Sequence, residues 1–164
     1  MARLDGCHPK PSRSSQVGVA EISGITACAT DKGLAGWWTP DVKATPERNS
    51  LARFRFSPDY FKEMRITELV PSTRVSWFCI AGADEWVDTT VTFRIEGGRP
   101  DSTNGEYGKR GVLLRFSHDD WKDQSPMFAE CNYTWGRFLG SLKLLCETGT
   151  GHSTPNEHRV LNGS

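Results

Sequence analysis

No apolar run in this 164-residue chain approaches the roughly 20 residues that a membrane-spanning helix needs, so no membrane span is expected. Its first stretch, MARLDGCHPKPSRSS, has basic residues but no apolar core, which argues against a secretory signal there. Excess charge of one sign is missing too: 20 Lys and Arg meet 20 Asp and Glu, for a formal net charge of zero. Binding to a phosphate backbone draws on a basic excess, so nucleic acid is not among the expected partners. The five cysteines (Cys7, Cys28, Cys79, Cys131 and Cys146) are odd in number and show no CxxC spacing. That argues against a secreted disulfide framework and a zinc ribbon, and for a reducing, cytoplasmic setting. Also absent are GxSxG, a P-loop, GxGxxG after a strand and HExxH, so no nucleophile is visible beside its base. No cofactor and no metal are expected.

What is present is aromatic and unevenly spread. All 17 aromatic residues (8 Phe, 6 Trp, 3 Tyr) fall between Trp37 and Phe138. Residues 1–15 and 149–164 are polar and poor in large apolar side chains. The expectation is a disordered lead (1–15), one folded domain (16–148) and a flexible tail (149–164). Within the domain, apolar residues recur with period two, the mark of half-buried strands. In LARFRF, Phe54 and Phe56 share a face. In EMRITELV, Met64 and Ile66 do, before a turn at VPSTR. RVSWFCI places Val75, Trp77 and Cys79 together. WVDTTVTFRIE (86–96) alternates Val87, Thr89, Val91, Phe93 and Ile95 against polar residues. GVLLRFSH aligns Val112, Leu114, Phe116 and His118. From Ser125 the period changes: Phe128, Cys131, Trp135, Phe138, Leu139, Leu142 and Leu145 form one wide helical stripe. Ser125 is a suitable N-cap, Pro126 a suitable first helical residue and Gly149 a suitable stop. Strands followed by one long helix predict an α+β domain: a curved antiparallel sheet around a C-terminal helix.

The segments GLAGWWTPDV (33–42), FRF (54–56), RVSWFC (74–79), EWVDTTVTF (85–93), LLRFSHDDW (113–121) and YTWGRFLGSLKLLCETG (133–149) resemble, in order, the START-like or SRPBCC superfamily. Within it they look closest to bacterial homologues of the activator of the heat-shock chaperone ATPase. The resemblance implies a helix-grip fold: a first strand, two short helices, an antiparallel run and a long gripped helix. The first strand would fall on QVGVAEI (16–22) and the two helices on residues 23–37. It also implies a hydrophobic ligand between sheet and helix, while some members of the superfamily are cyclases or hydrolases.

The inward aromatic phase nominates Phe54, Phe56, Trp77, Phe93, Phe116, Trp135 and Phe138 as a ligand-binding set, joined by Trp38 at a pocket mouth and by His118 at its strand end, against the alternative of an ordinary packed core. His118, at the inward end of its strand, is either a structural histidine or a weak candidate general base. Adjacent Asp119 and Asp120 point in different directions from a strand end, so a metal site is not expected. Trp37 and Trp38 are not expected both to face one core, leaving one for a pocket mouth or a homodimer surface. The outer arginines, interleaved with acids, read as a solvated sheet face with cross-strand ion pairs. Three functions follow in order: a module binding a small hydrophobic molecule, a homodimeric or co-chaperone-like interaction module, and a cyclase- or hydrolase-type enzyme using His118.

Overall fold

The computed structural model describes residues 2–4, 27–96 and 112–162. In chain order the elements are β1 (Ala2–Leu4), α1 (Asp31–Trp37), β2 (Asp41–Lys43), β3 (Leu51–Ser57), β4 (Tyr60–Val70), β5 (Arg74–Ala81), β6 (Thr90–Glu96), β7 (Val112–Asp119) and α2 (Pro126–Thr148). A short 3₁₀ helix, Glu157–Asn162, follows. The strands form one antiparallel sheet in the order β1-β7-β6-β5-β4-β3-β2, so β2 to β7 make an uninterrupted meander. The sheet curves about α2, the helix-grip arrangement that the family resemblance implies.

Local chemistry explains the elements. In β3, Ala52 and Phe54 are buried while Arg53 and Arg55 face water. In β4, Lys62, Met64 and Ile66 point inward. Register shifts between Glu63 and Met64, and between Ile66 and Glu68, bend the β4–β5 ladder, as bulges do, and let a flat pleat wrap a helix. On the outer face, Arg53–Glu63 (3.5 Å), Arg74–Glu68 (3.0 Å) and Arg115–Glu96 (2.7 Å) are cross-strand ion pairs. Being exposed, each is worth under about 1 kcal/mol. α2 begins where Ser125 accepts from Phe128 N at 3.3 Å. It ends at Gly149, whose φ of 82° few other residues adopt cheaply. Its buried stripe is Cys131, Trp135, Phe138, Leu139, Leu142 and Leu145, with Ser141 among them.

Five expectations need correction or restriction. The strand read from residue 86 starts at Thr90, because Trp86 N and Val87 N both turn back to Ala83 O (2.9 and 3.2 Å). That turn sends the Trp86 ring inward. Trp37 and Trp38 both face one core (0% and 2% exposed). α1 ends between them, and the two rings stack with centroids 5.8 Å apart and planes 11° from parallel. Neither is free for a dimer surface. Residues 2–4, placed in a disordered lead, pair with β7. The expected first strand (16–22) and the first of the two short helices lie outside the described residues, save Ala27; the second helix is α1.

The fourth correction concerns the expected flexible tail. Residues 150–162 fold back on α2: Ser141 Oγ donates to His152 O (2.9 Å) and accepts from His152 N (2.6 Å), and Thr154 N donates to Trp38 O (3.0 Å). Gly151 permits this approach, since a Cβ there would stand 2.5 Å from Gly36 O and 2.9 Å from Ser141 O. Gly151→Ala is therefore expected to lift the segment off α1 and α2 and to destabilise by about 1–3 kcal/mol. Faster hydrogen exchange confined to residues 150–162 is the readout; unchanged protection there would show that the approach is not required.

Candidate functional site

Inside the grip, the aromatic side chains do two different jobs. Around Trp38 they form a filled core. Its ring lies 4.4 Å from Phe54 and 5.5 Å from Trp77, nearly parallel to the latter. Phe93 contacts Trp37, Trp77 and Phe116 at 5.2–5.9 Å. Spacings and tilts of this kind are those of close-packed aromatic interiors. Phe54, Trp77 and Phe93 are fully buried.

His118 is a packing node. Its ring sits 4.4 Å from both Trp86 and Trp121. Trp135 Nε1 can only donate, and it reaches His118 Nδ1 at 3.1 Å. Nδ1 is therefore an acceptor, and the ring proton belongs on Nε2, facing Thr89 Oγ1 at 2.9 Å. Thr89 Oγ1 in turn donates to Trp86 O at 2.6 Å. Burial, aided by the Lys62 charge, lowers the His118 pKa to about 3. The imidazole is thus neutral, and both of its nitrogens are engaged within the protein. Asp119 and Asp120 are exposed, and among the described residues no group of three His, Cys, Asp or Glu side chains is placed to hold a metal.

Beside this core lies open space, a cavity of about 190 Å³ between the β3–β4 hairpin, α2 and the C-terminal segment. Of the nominated residues, Trp38, Phe56, Trp135 and Phe138 line it; Phe54, Trp77, Phe93, Phe116 and His118 do not. The remaining wall includes Tyr60, Lys62, Trp86, Cys131, Thr134 and Glu157.

Lys62 is the side chain the sequence reading passed over. It is only 3% exposed. Its Nζ lies 4.5, 4.0 and 4.1 Å from the ring centroids of Phe56, Tyr60 and Trp86. It also donates to Tyr60 Oη at 2.7 Å. Burial lowers its pKa from 10.5 to about 8, while the negative faces of three rings favour the cation. The ammonium form therefore predominates at neutral pH. Burial also raises the Tyr60 phenol to about 12 and pushes the Cys131 thiol up. Cys131 Sγ accepts from Trp86 Nε1 at 3.2 Å. This thiol and phenol are protonated, neutral groups. The signal for Lys62 was present: it continues the inward phase of Met64 and Ile66 by one step toward the hairpin.

No protein-family model and no curated protein matches the chain. Solved structures do. The Aha1 dimer from Colwellia psychrerythraea, determined in solution, is 27% identical, with a TM-score of 0.65 over 92% of this chain and 95% of that one. CalU16 from Micromonospora echinospora aligns at 18% identity and a TM-score of 0.54, over 88% of this chain and 77% of that one. DynU16, a putative protein in the dynemicin biosynthetic locus, aligns at 18% identity and a TM-score of 0.58, over 80% of this chain and 45% of that one. The two less identical structures share the fold. Among the described residues, no helix is long and apolar enough to cross a membrane. With its curved antiparallel sheet, gripped C-terminal helix and likeness to the Aha1 protein along nearly the whole chain, this protein has the helix-grip fold of the START-like (SRPBCC) proteins.

Proposed function

We propose that the protein is a binding module for a small, single-ring hydrophobic molecule, held between β3–β4 and the first half of α2. The supporting observation is the aromatic-lined cavity and its size. An engineered apolar cavity of about 150 Å³ takes benzene, whereas sites for drug-sized ligands run from about 300 Å³ upward. At about 190 Å³, this space suits one ring with a substituent and is too small for a sterol or an acyl chain. The test is calorimetric titration with phenol. Saturable binding is expected in the wild type, and none in Thr134→Phe, which places a ring in the cavity from α2. Equal binding by both proteins would remove the reading.

A second reading, a homodimer, is supported by the dimeric state named for the Aha1 relative. Because Trp37 and Trp38 are buried, the interface would have to use other surface. A monomer in sedimentation equilibrium up to millimolar concentration would exclude it.

A further inference from the structure

The cavity contains two buried polar groups whose hydrogen-bonding capacity the described residues do not fill. The Lys62 ammonium has three N–H donors. One goes to Tyr60 Oη. Among the described residues, no carboxylate stands within ion-pair distance of Nζ, though the outer face holds several such pairs. A buried cation without an anion is costly, and rings alone only partly offset that cost. From the C-terminal segment, Glu157 lines the same cavity, and its buried Oε2 has no hydrogen-bond partner among the described residues. Buried polar atoms in folded proteins are almost always paired, so an unpaired one in a cavity wall calls for a ligand.

We infer that the occupant is a hydroxylated aromatic monocarboxylic acid, with its carboxylate on Lys62 Nζ and its hydroxyl donating to Glu157. This rests on the single-ring reading above and gives that ligand its chemical class. The aromatic residues around Lys62 fix the ammonium in place, so little side-chain freedom is lost when the anion arrives. The lining acids Glu130 and Glu157 disfavour a second anionic group, which selects a monoacid over a diacid.

The experiment is calorimetric titration of the full chain with 4-hydroxybenzoate, benzoate and phenol. 4-Hydroxybenzoate is expected to bind at least about tenfold more tightly than phenol, the weight of one charge-assisted hydrogen bond. Lys62→Met should erase that advantage, leaving 4-hydroxybenzoate and phenol with similar affinities. Glu157→Leu should erase the preference for 4-hydroxybenzoate over benzoate. If Lys62→Met does not fold, the Nζ resonance of wild-type Lys62 serves instead, and it should shift with 4-hydroxybenzoate but not with phenol. Equal affinity for phenol and 4-hydroxybenzoate, or a carboxylate preference that survives Lys62→Met, overturns the inference. Binding of phenol without binding of either acid overturns the inference alone. Failure of all three ligands removes the single-ring reading along with it.

Discussion

His118→Ala is expected to destabilise the protein by about 4 kcal/mol, seen as a lower urea midpoint with an unchanged slope. Two costs combine. The ring fills space between Trp86 and Trp121, so its removal leaves a cavity. Its loss also strips the Trp135 indole N–H of its acceptor and Thr89 Oγ1 of a partner. The same packing fixes an acid dependence. The folded pKa of about 3 lies below the ordinary value of 6.5. Between those values the unfolded chain takes up a proton that the native state refuses. Stability is therefore fully present above pH 6.5 and is lost as the pH falls toward 3. A loss under about 1 kcal/mol in His118→Ala would show that the ring is not the structural node its bonds describe. A base at this position would need a free lone pair, and the Nδ1 lone pair is held by Trp135; that weighs against a base role for His118.

Lys62 is expected to give the opposite end of the pH range a marked signature. Its folded pKa of about 8 lies below the 10.5 of a free lysine. Above about pH 10.5 both states are neutral there, and the full contribution to stability is present. Between 10.5 and 8 the unfolded chain holds a proton that the native state has released, so this contribution is lost as the pH falls through 8. The span is worth up to roughly 3 kcal/mol, at 1.36 kcal/mol per pKa unit. The facing groups work against it: burial raises Tyr60, Cys79 and Cys131, and these favour the native state least at high pH, while His118 stays neutral throughout. The measurement is therefore a difference. Stability of the wild type minus that of Lys62→Met should rise between pH 8 and 10.5. A flat difference would mean that Lys62 is not held in a desolvated state.

Much of the fold was legible because it rests on periodicity and caps. Phe54, Met64, Trp77, Phe93 and Leu114 mark inward faces by alternation alone, and Ser125, Pro126 and Gly149 bracket α2 as their cap chemistry dictates. The errors have local causes. Trp86 was drawn into a strand because WVDTTV alternates, but alternation does not reveal the turn from Ala83. Adjacent residues at a helix or strand end are expected on different faces, whereas the end of α1 brings the Trp38 ring into stacking contact with Trp37. The segment after Gly149 is polar and looks unstructured. It is held by backbone hydrogen bonds and by the missing side chain of Gly151, which composition does not register. The site was half legible. Phe56, Trp135 and Phe138 follow from the aromatic phase, and Trp38 from the pairing of two adjacent tryptophans. Lys62 did not, because a lysine inside a strand pattern is read as outward unless the inward phase is extended through it. Nor did sequence show that Trp77 and Phe93 fill the space rather than line it, since filling depends on volumes set by several elements at once.

The most direct test of the account is an NMR titration of the tryptophan indole N–H signals with phenol. A ring-sized cavity predicts saturable shifts at Trp38, Trp86 and Trp135, which line it, and none at Trp121, which does not. Absent or unsaturable shifts, or shifts spread equally over all six tryptophans, would contradict it.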